Sequence, residues 1–294
     1  MLVAIGVLGA LAGSTGGNAA HAAPALLPLD LLPPATEATY TYCTPAGTTG
    51  LKMDLYRPVG SAAVPVVVQV HGGEWRIGNR TSNVTASLVS AFLKNGIAFA
   101  TIDYRLLNGR KASYDVACAV RYLRASAAHL GIDGARIGAM GQSAGGQLVS
   151  LLGATDRSAG FDVGQYLRES SRVQAVVDEW GPVIFDANEL RLLPDIPLVF
   201  GTSDLTTLKK YSPLSYLTTD DPPFLLVQGS EDAIVPPYQS QNFSFALTQA
   251  GVRHRLIMVQ HAGHYLAPAG GTPTPSTASV QASIVDFFVA NLRG

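Results

Sequence analysis

Along the chain, short runs of β-branched apolar residues alternate with stretches whose apolar positions recur every three or four residues. Val64-Pro-Val-Val-Val-Gln-Val70 is apolar almost throughout, as a strand covered on both faces must be. Comparable runs predict strands over 97–104, 136–141, 173–180, 224–228 and 254–260. Between them the period lengthens. Val116, Val120, Leu123 and Ala127 fall on one face of a predicted helix over 114–130. Similar patterns predict helices over 85–95, 144–152, 238–250 and 276–292. Strands alternating with helices imply an α/β fold, a mostly parallel sheet with helices on both faces. Residues 183–223 interrupt the alternation with prolines and short apolar pieces, which reads as a small lid or an ordinary long connection.

Length and composition narrow this picture. The chain has 294 residues, of which 47% are hydrophobic and 14% charged. That balance excludes a disordered chain, which needs low hydrophobicity and high charge. The net charge of −1 leaves no basic excess to neutralise phosphates, so no nucleic-acid partner is expected. Residues 1–29 contain no charged side chain. The apolar stretch 2–12 is too short to span a bilayer, and small residues around His21 offer cleavage sites. Residues 1–23 are therefore predicted to be a signal peptide, although no basic residue precedes the apolar stretch, and the protein to be secreted or periplasmic. A disordered apolar tail is the competing reading. A Pro-rich segment over 24–39 follows, and 40–294 is read as a single catalytic domain. Cys43 and Cys118 are too few for a disulfide scaffold or a zinc ribbon. Export would permit a bond between them; two separate buried thiols is the alternative.

The chemistry is concentrated in three places. Gly141-Gln142-Ser143-Ala144-Gly145 is a G-x-S-x-G that follows one predicted strand and opens a helix, the context this motif requires. Such a turn lifts the serine hydroxyl above the sheet at a helix N-terminus, where N–H groups favour a developing anion. Ser143 is the candidate nucleophile, and the N–H of Ala144 a candidate oxyanion donor. A structural glycine turn with Ser143 as a mere cap is the bland alternative. A serine needs a positioned base, and His264, on the loop after the last strand, would lie over the same sheet edge. His261 lies where that strand ends and reads as structural. With the order serine, acid, histidine, the acid falls between them. Asp232, after the strand 224–228 and a short glycine-containing loop, is the choice over Asp178 and Asp204. Its role is to hold the His264 tautomer and stabilise the imidazolium. Third, His71-Gly72-Gly73-Glu74-Trp75 follows the strand 64–70, where glycines let backbone N–H groups approach a substrate oxygen.

Together, His71-Gly-Gly-Glu-Trp75, Asp103-Tyr-Arg-Leu106, Gly141-Gln-Ser-Ala-Gly145, Gly229-Ser-Glu-Asp232 and Ala262-Gly-His264 resemble the serine carboxylesterases of the α/β-hydrolase fold. The similarity is greatest to the hormone-sensitive-lipase-like and feruloyl-esterase-like branch, and it runs from about residue 40 to the C-terminus. It implies an eight-stranded-type, mostly parallel sheet and an oxyanion hole in which the N–H groups of Gly73 and Glu74 join Ala144. The lipase-like members usually have glycine where Glu74 stands; His-Gly-Gly-x-Trp is the feruloyl-esterase-like and kynurenine-formamidase-like form. Trp75 and Trp180 are candidate pocket residues, and Asp103, Tyr104 and Arg105 read as scaffold.

The expected activity is hydrolysis of acyl, aryl or plant-wall-type esters, small or polymer-attached, through an acyl-enzyme. No metal or cofactor is expected, there being no H-E-x-x-H, and no stable membrane span. An amidase, formamidase or peptidase on the same fold, and a noncatalytic binding module, are the competing readings.

Overall fold

The computed structural model describes residues 33–60 and 62–293. The predicted signal peptide, and the Pro-rich segment up to residue 32, lie outside the described residues.

Eight strands form one open sheet: β1 (Ala35–Cys43), β2 (Leu51–Pro58), β3 (Val64–Val70), β4 (Ala98–Ile102), β5 (Ile132–Gln142), β6 (Ala175–Glu179), β7 (Phe224–Gly229) and β8 (His254–Val259). Their spatial order is β1-β2-β4-β3-β5-β6-β7-β8. β2 runs antiparallel to both its neighbours, and all pairings from β4 to β8 are parallel. The helices are α1 (Ala86–Lys94), α2 (Gly109–Ala125), α3 (Ala127–Leu130), α4 (Ala144–Ala154), α5 (Ala187–Leu192), α6 (Ile196–Phe200), α7 (Leu205–Leu208), α8 (Tyr238–Gln249) and α9 (Thr277–Leu292). Apolar side chains of α1 and α9 pack on one face of the sheet, and those of α2, α4 and α8 on the other. The central strands β3 and β6 are buried along their whole length, which explains the near-continuous apolar run of β3 and of the first three residues of β6. Among the described residues no helix is long and apolar enough to cross a membrane.

Three expectations need correction. β1 and β2 form an antiparallel edge, so the boundary drawn at residue 40 cuts through a strand. β1 is half-exposed, and its Thr-Tyr-Thr-Tyr alternation carries little apolar signal. The helix expected over 114–130 starts five residues earlier, where the Asn108 side chain accepts from the Lys111 N–H, a cap of the usual polar type. It breaks at Ser126 before α3. The strand expected over 136–141 extends to 132–142.

Cys43, at the end of β1, and Cys118, in α2, are joined in a disulfide. Residues 183–223 fold into α5, α6, α7 and two 3₁₀ turns. Phe185, Val199, Phe200 and Leu208 from this stretch are buried in the same core as α2 and α4.

Candidate active site

The turn from β5 to α4 is tight because it has to be. Ser143 sits at φ 54°, ψ −118°, a strained conformation for a side chain-bearing residue. Its N–H donates to the Glu179 carbonyl at 2.9 Å, and its carbonyl accepts from Gln147 N–H at 3.0 Å. A Cβ on Gly145 would run into the Val70 and His71 carbonyl oxygens, and one on Gly141 into the Gly145 carbonyl. The two outer glycines of the motif thus permit β3, β5 and α4 to meet at one point. Ala144 is the first helical residue, so its N–H has no intrahelical acceptor.

The structure brings Ser143, His264 and Asp232 together. His264 Nε2 lies 3.1 Å from Ser143 Oγ, and His264 Nδ1 lies 2.8 Å from Asp232 Oδ2. An ionised carboxylate only accepts, so the Nδ1–H donates and Nε2 is free to accept the serine proton. Asp232 is itself held in place. Its Oδ1 accepts from the N–H groups of Ile234 and Val235, both at 2.9 Å. Gln228 Nε2 donates to its Oδ2 at 3.3 Å. The edge of the Trp180 indole packs against the His264 ring with centroids 6.2 Å apart, and Tyr265 against it at 4.5 Å.

The other candidates for the acid are engaged elsewhere. Asp178 accepts from Ser150 Oγ and from Gly181 N–H, each at 2.8 Å, on the α4 side of the sheet. Asp204 caps α7. His261 turns away at φ 57°, with its ring against Gly271.

The loop after β3 carries the oxyanion candidates. Arg76 and Ile77 donate N–H groups to the Gly73 carbonyl, closing the loop on itself; among the described residues the Gly73 and Glu74 N–H groups have no backbone acceptor. Glu74 and Trp75 have φ values of 57° and 55°, in the left-handed region that glycine occupies without cost. This is the physical reason that glycine is the usual residue where Glu74 stands. The Glu74 carboxylate is exposed and lies 3.8 Å from Arg76 Nη1. His71 is buried, donates from Nδ1–H to the Gly72 carbonyl at 2.7 Å, and stacks on Tyr104 at 4.1 Å. Burial lowers its pKa, which favours a neutral ring. Asp103 and Arg105 hold Arg80 and Asp115 in ion pairs, structural roles below the site.

Trp75 both packs into the core and borders the groove beside Glu74. It is 3% exposed, packs edge-on against both Phe185 and Phe200, and donates from Nε1 to Gln147 Oε1 at 3.0 Å. It also lines, with Glu74, Leu193, Pro194, Ile196 and Ile234, a groove of about 270 Å³. Arg76 and Asp195 form an ion pair that ties the oxyanion loop to the start of α6.

Sequence reasoning weighed Asp178 only as an alternative acid and missed Glu179 beside it, so the buried pair at the end of β6 went unread. Burial raises the Asp178 pKa to about 6, despite its two donors. It raises that of Glu179 to about 8, opposed by a hydrogen bond from Gln142 and helped by the nearby Asp178. Being adjacent in a strand, the two side chains point to opposite faces of the sheet. Gln147 and Gln228, which fix the oxyanion loop and the acid, were equally invisible.

Residues 53–247 match the family model described as BD-FAE. That span includes Ser143 and Asp232; His264 lies beyond it and is supplied by the fold. Among curated proteins, the chain is similar to "Probable carboxylic ester hydrolase LipM" of Mycobacterium tuberculosis, at 29% identity over 231 residues, 73% of this chain and 53% of that protein. It is 35% identical over 105 residues to an arylesterase of Saccharolobus solfataricus, 34% of this chain and 33% of that one. The chain spans about half the length of LipM. Among solved structures, a truncated carbohydrate esterase from gut microbiota superposes with a TM-score of 0.74 at 27% identity, covering 87% of this chain and 97% of that one. Esterase 2 of Thermogutta terrifontis, phosphoramylated by tabun, has a TM-score of 0.73 at 22% identity over 86% of this chain and 94% of its own, a likeness of fold.

Proposed function

The chain belongs to the BD-FAE family, and from that premise we propose that it is a serine carboxylic ester hydrolase working through an acyl-enzyme. The observation that carries the reading is the unbroken relay from Asp232 to His264 to Ser143, with contacts of 2.8 Å and 3.1 Å. Ser143 Oγ attacks the ester carbonyl carbon as its proton passes to His264 Nε2. The oxyanion that forms is met by the N–H groups of Gly73, Glu74 and Ala144. The imidazolium, stabilised by Asp232, returns the proton to the leaving alcohol. Water then repeats the sequence in reverse to release the acid.

The apolar groove between Glu74 and α6 suits the acyl or aryl part of the ester, and the similarity to a carbohydrate esterase favours a sugar-linked alcohol. Export from the cytoplasm belongs to the same reading. It is supported by the Cys43–Cys118 disulfide, a bond that persists in oxidising compartments.

The test is covalent labelling by a fluorophosphonate, followed by hydrolysis of p-nitrophenyl acetate, butyrate and octanoate, methyl ferulate and acetylated xylo-oligosaccharide. Labelling is expected at Ser143, with Ser143→Ala losing label and roughly 10⁴-fold or more in kcat. Near-wild-type turnover by folded Ser143→Ala would overturn the assignment, and turnover of none of the esters would overturn the activity.

A further inference from the structure

On the α1/α9 face of the sheet, behind the loop that carries His264, lies a second cavity of about 370 Å³. Neither Ser143 nor Glu74 borders it. Its inner wall includes Gln142, Glu179 and Trp180, and its floor Met140, Leu266 and Val280. Polar residues at the N-terminal ends of α1 and α9, Thr85 and Thr277, stand at its mouth with Gln281.

The wall is unusual in what it leaves unpaired. Glu179 Oε1, Gln142 Oε1 and Trp180 Nε1 are all buried without a hydrogen-bonding partner in the protein. A buried polar atom left unpaired costs about 1–3 kcal/mol. Such atoms are few in a native protein; here three fall together at the paired ends of β5 and β6, where Gln142 stands opposite Glu179 and Trp180 follows it. Gln142 Oε1 can only accept, Trp180 Nε1–H can only donate and the protonated Glu179 carboxyl can do either, so the complementary group must both donate and accept. Hydroxyl does so; a carboxylate or an ammonium does not. No lysine, arginine or histidine borders the cavity. Glu179 is held protonated up to about pH 8 by burial, so the wall presents no full charge. The apolar floor asks for a ring or hydrocarbon face beside the hydroxyls.

We propose that this cavity is a binding site for an uncharged, hydroxyl-bearing ring, whose hydroxyl groups are taken up by Gln142, Glu179 and Trp180. A saccharide and an aryl alcohol share that chemistry. The site goes beyond the ester-hydrolase reading and is tested without turnover, so the two stand or fall separately. It adjoins the catalytic relay, since Trp180 and Tyr265, which border the cavity, also pack on the His264 ring.

The chain has two tryptophans, so the ¹H–¹⁵N spectrum contains two indole signals. Trp75, already bonded to Gln147, serves as the internal reference. Methyl β-D-xyloside and benzyl alcohol are titrated separately into the intact protein, with benzoate as the charged control. The expected result is a saturable shift of the Trp180 signal alone, in the millimolar range, for at least one alcohol. Which probe saturates identifies the saccharide or the aryl source. Benzoate should bind at least tenfold more weakly. Glu179→Leu should weaken the preferred alcohol by roughly tenfold or more, the loss of one buried hydrogen bond. Gln281→Trp, which fills the mouth without touching the inner wall, should abolish the shift and guards against misfolding of the first variant. The proposal is overturned if neither alcohol saturates, as for a cavity that holds water only. It is equally overturned if benzoate binds as tightly as the alcohols, or if Gln281→Trp leaves the titration unchanged.

Discussion

Replacing Glu179 by glutamine should make the protein more stable in alkali and leave it nearly unchanged in acid. The reason is burial. The folded chain raises the carboxyl from its ordinary 4.5 to about 8, so between these values the unfolded chain has released a proton that the folded chain still holds. Stability rises with pH only where the unfolded state binds more protons. Here it binds fewer, so stability falls as pH climbs from about 4.5 towards 8 and levels off above. At about 1.4 kcal/mol per pH unit, the whole interval amounts to at most about 5 kcal/mol, and water entering from the adjoining cavity reduces that ceiling. Glu179→Gln keeps the shape, a side-chain oxygen that can accept from Gln142 and the backbone carbonyl that holds Ser143, but cannot ionise in either state. Urea unfolding of both proteins at about pH 5, 7 and 9 reads the difference directly. The variant should match the wild type at the lowest pH and gain a few kcal/mol by the highest. If the gap between the two stays constant within about 1 kcal/mol across this range, burial does not hold the proton and the reasoning fails.

Asp232→Asn keeps the geometry around His264 but favours the wrong tautomer, and should lower kcat by roughly 10⁴ with circular dichroism unchanged; a loss under tenfold would remove Asp232 from the relay. Glu74→Ala and Glu74→Gln both retain the peptide N–H, so on p-nitrophenyl acetate each should lose well under the roughly 10²–10³ that follows removal of an oxyanion donor. A hundredfold loss in both, with the fold intact, would mean that the exposed Glu74 carboxylate itself acts on the substrate. Cutting the disulfide with the double variant Cys43→Ser, Cys118→Ser opens a loop spanning 75 positions, and chain entropy sets the cost at about 4 kcal/mol. Thermal unfolding with and without the bond checks it, and equal transition temperatures would show that the unfolded chain is not constrained there.

What was legible in the sequence is what is local. The G-x-S-x-G turn declares itself because three chain segments converge within five residues, so the steric demand for Gly141 and Gly145 is written next to Ser143. Asp232 and His264 were readable for a related reason. Each follows an apolar run by only a few residues, and in a parallel sheet the ends of all such runs lie along one edge. Order along the chain then stands in for position in space.

The rest depends on which face a side chain takes and what lies across from it. Asp178 and Glu179 read as two acids ending an apolar strand, and period-2 geometry sends them to opposite faces, one to Ser150 and Gly181, the other to the cavity behind His264. Only the packing of α4 on one side and of α1 and α9 on the other turns that alternation into two buried carboxyls with raised pKa values. β1 escaped notice because an edge strand with one solvated face has no need of an apolar run, and Asp54 on β2 is fully buried because Thr39 from β1 and Arg80, 26 positions later, both donate to its carboxylate. Glu74 shows the two kinds of information meeting. Its departure from glycine is visible in the sequence, but the φ of 57° that makes the departure costly, and the solvent-facing carboxylate that makes it harmless to a nearby oxyanion, exist only once the loop after β3 has closed on Gly73.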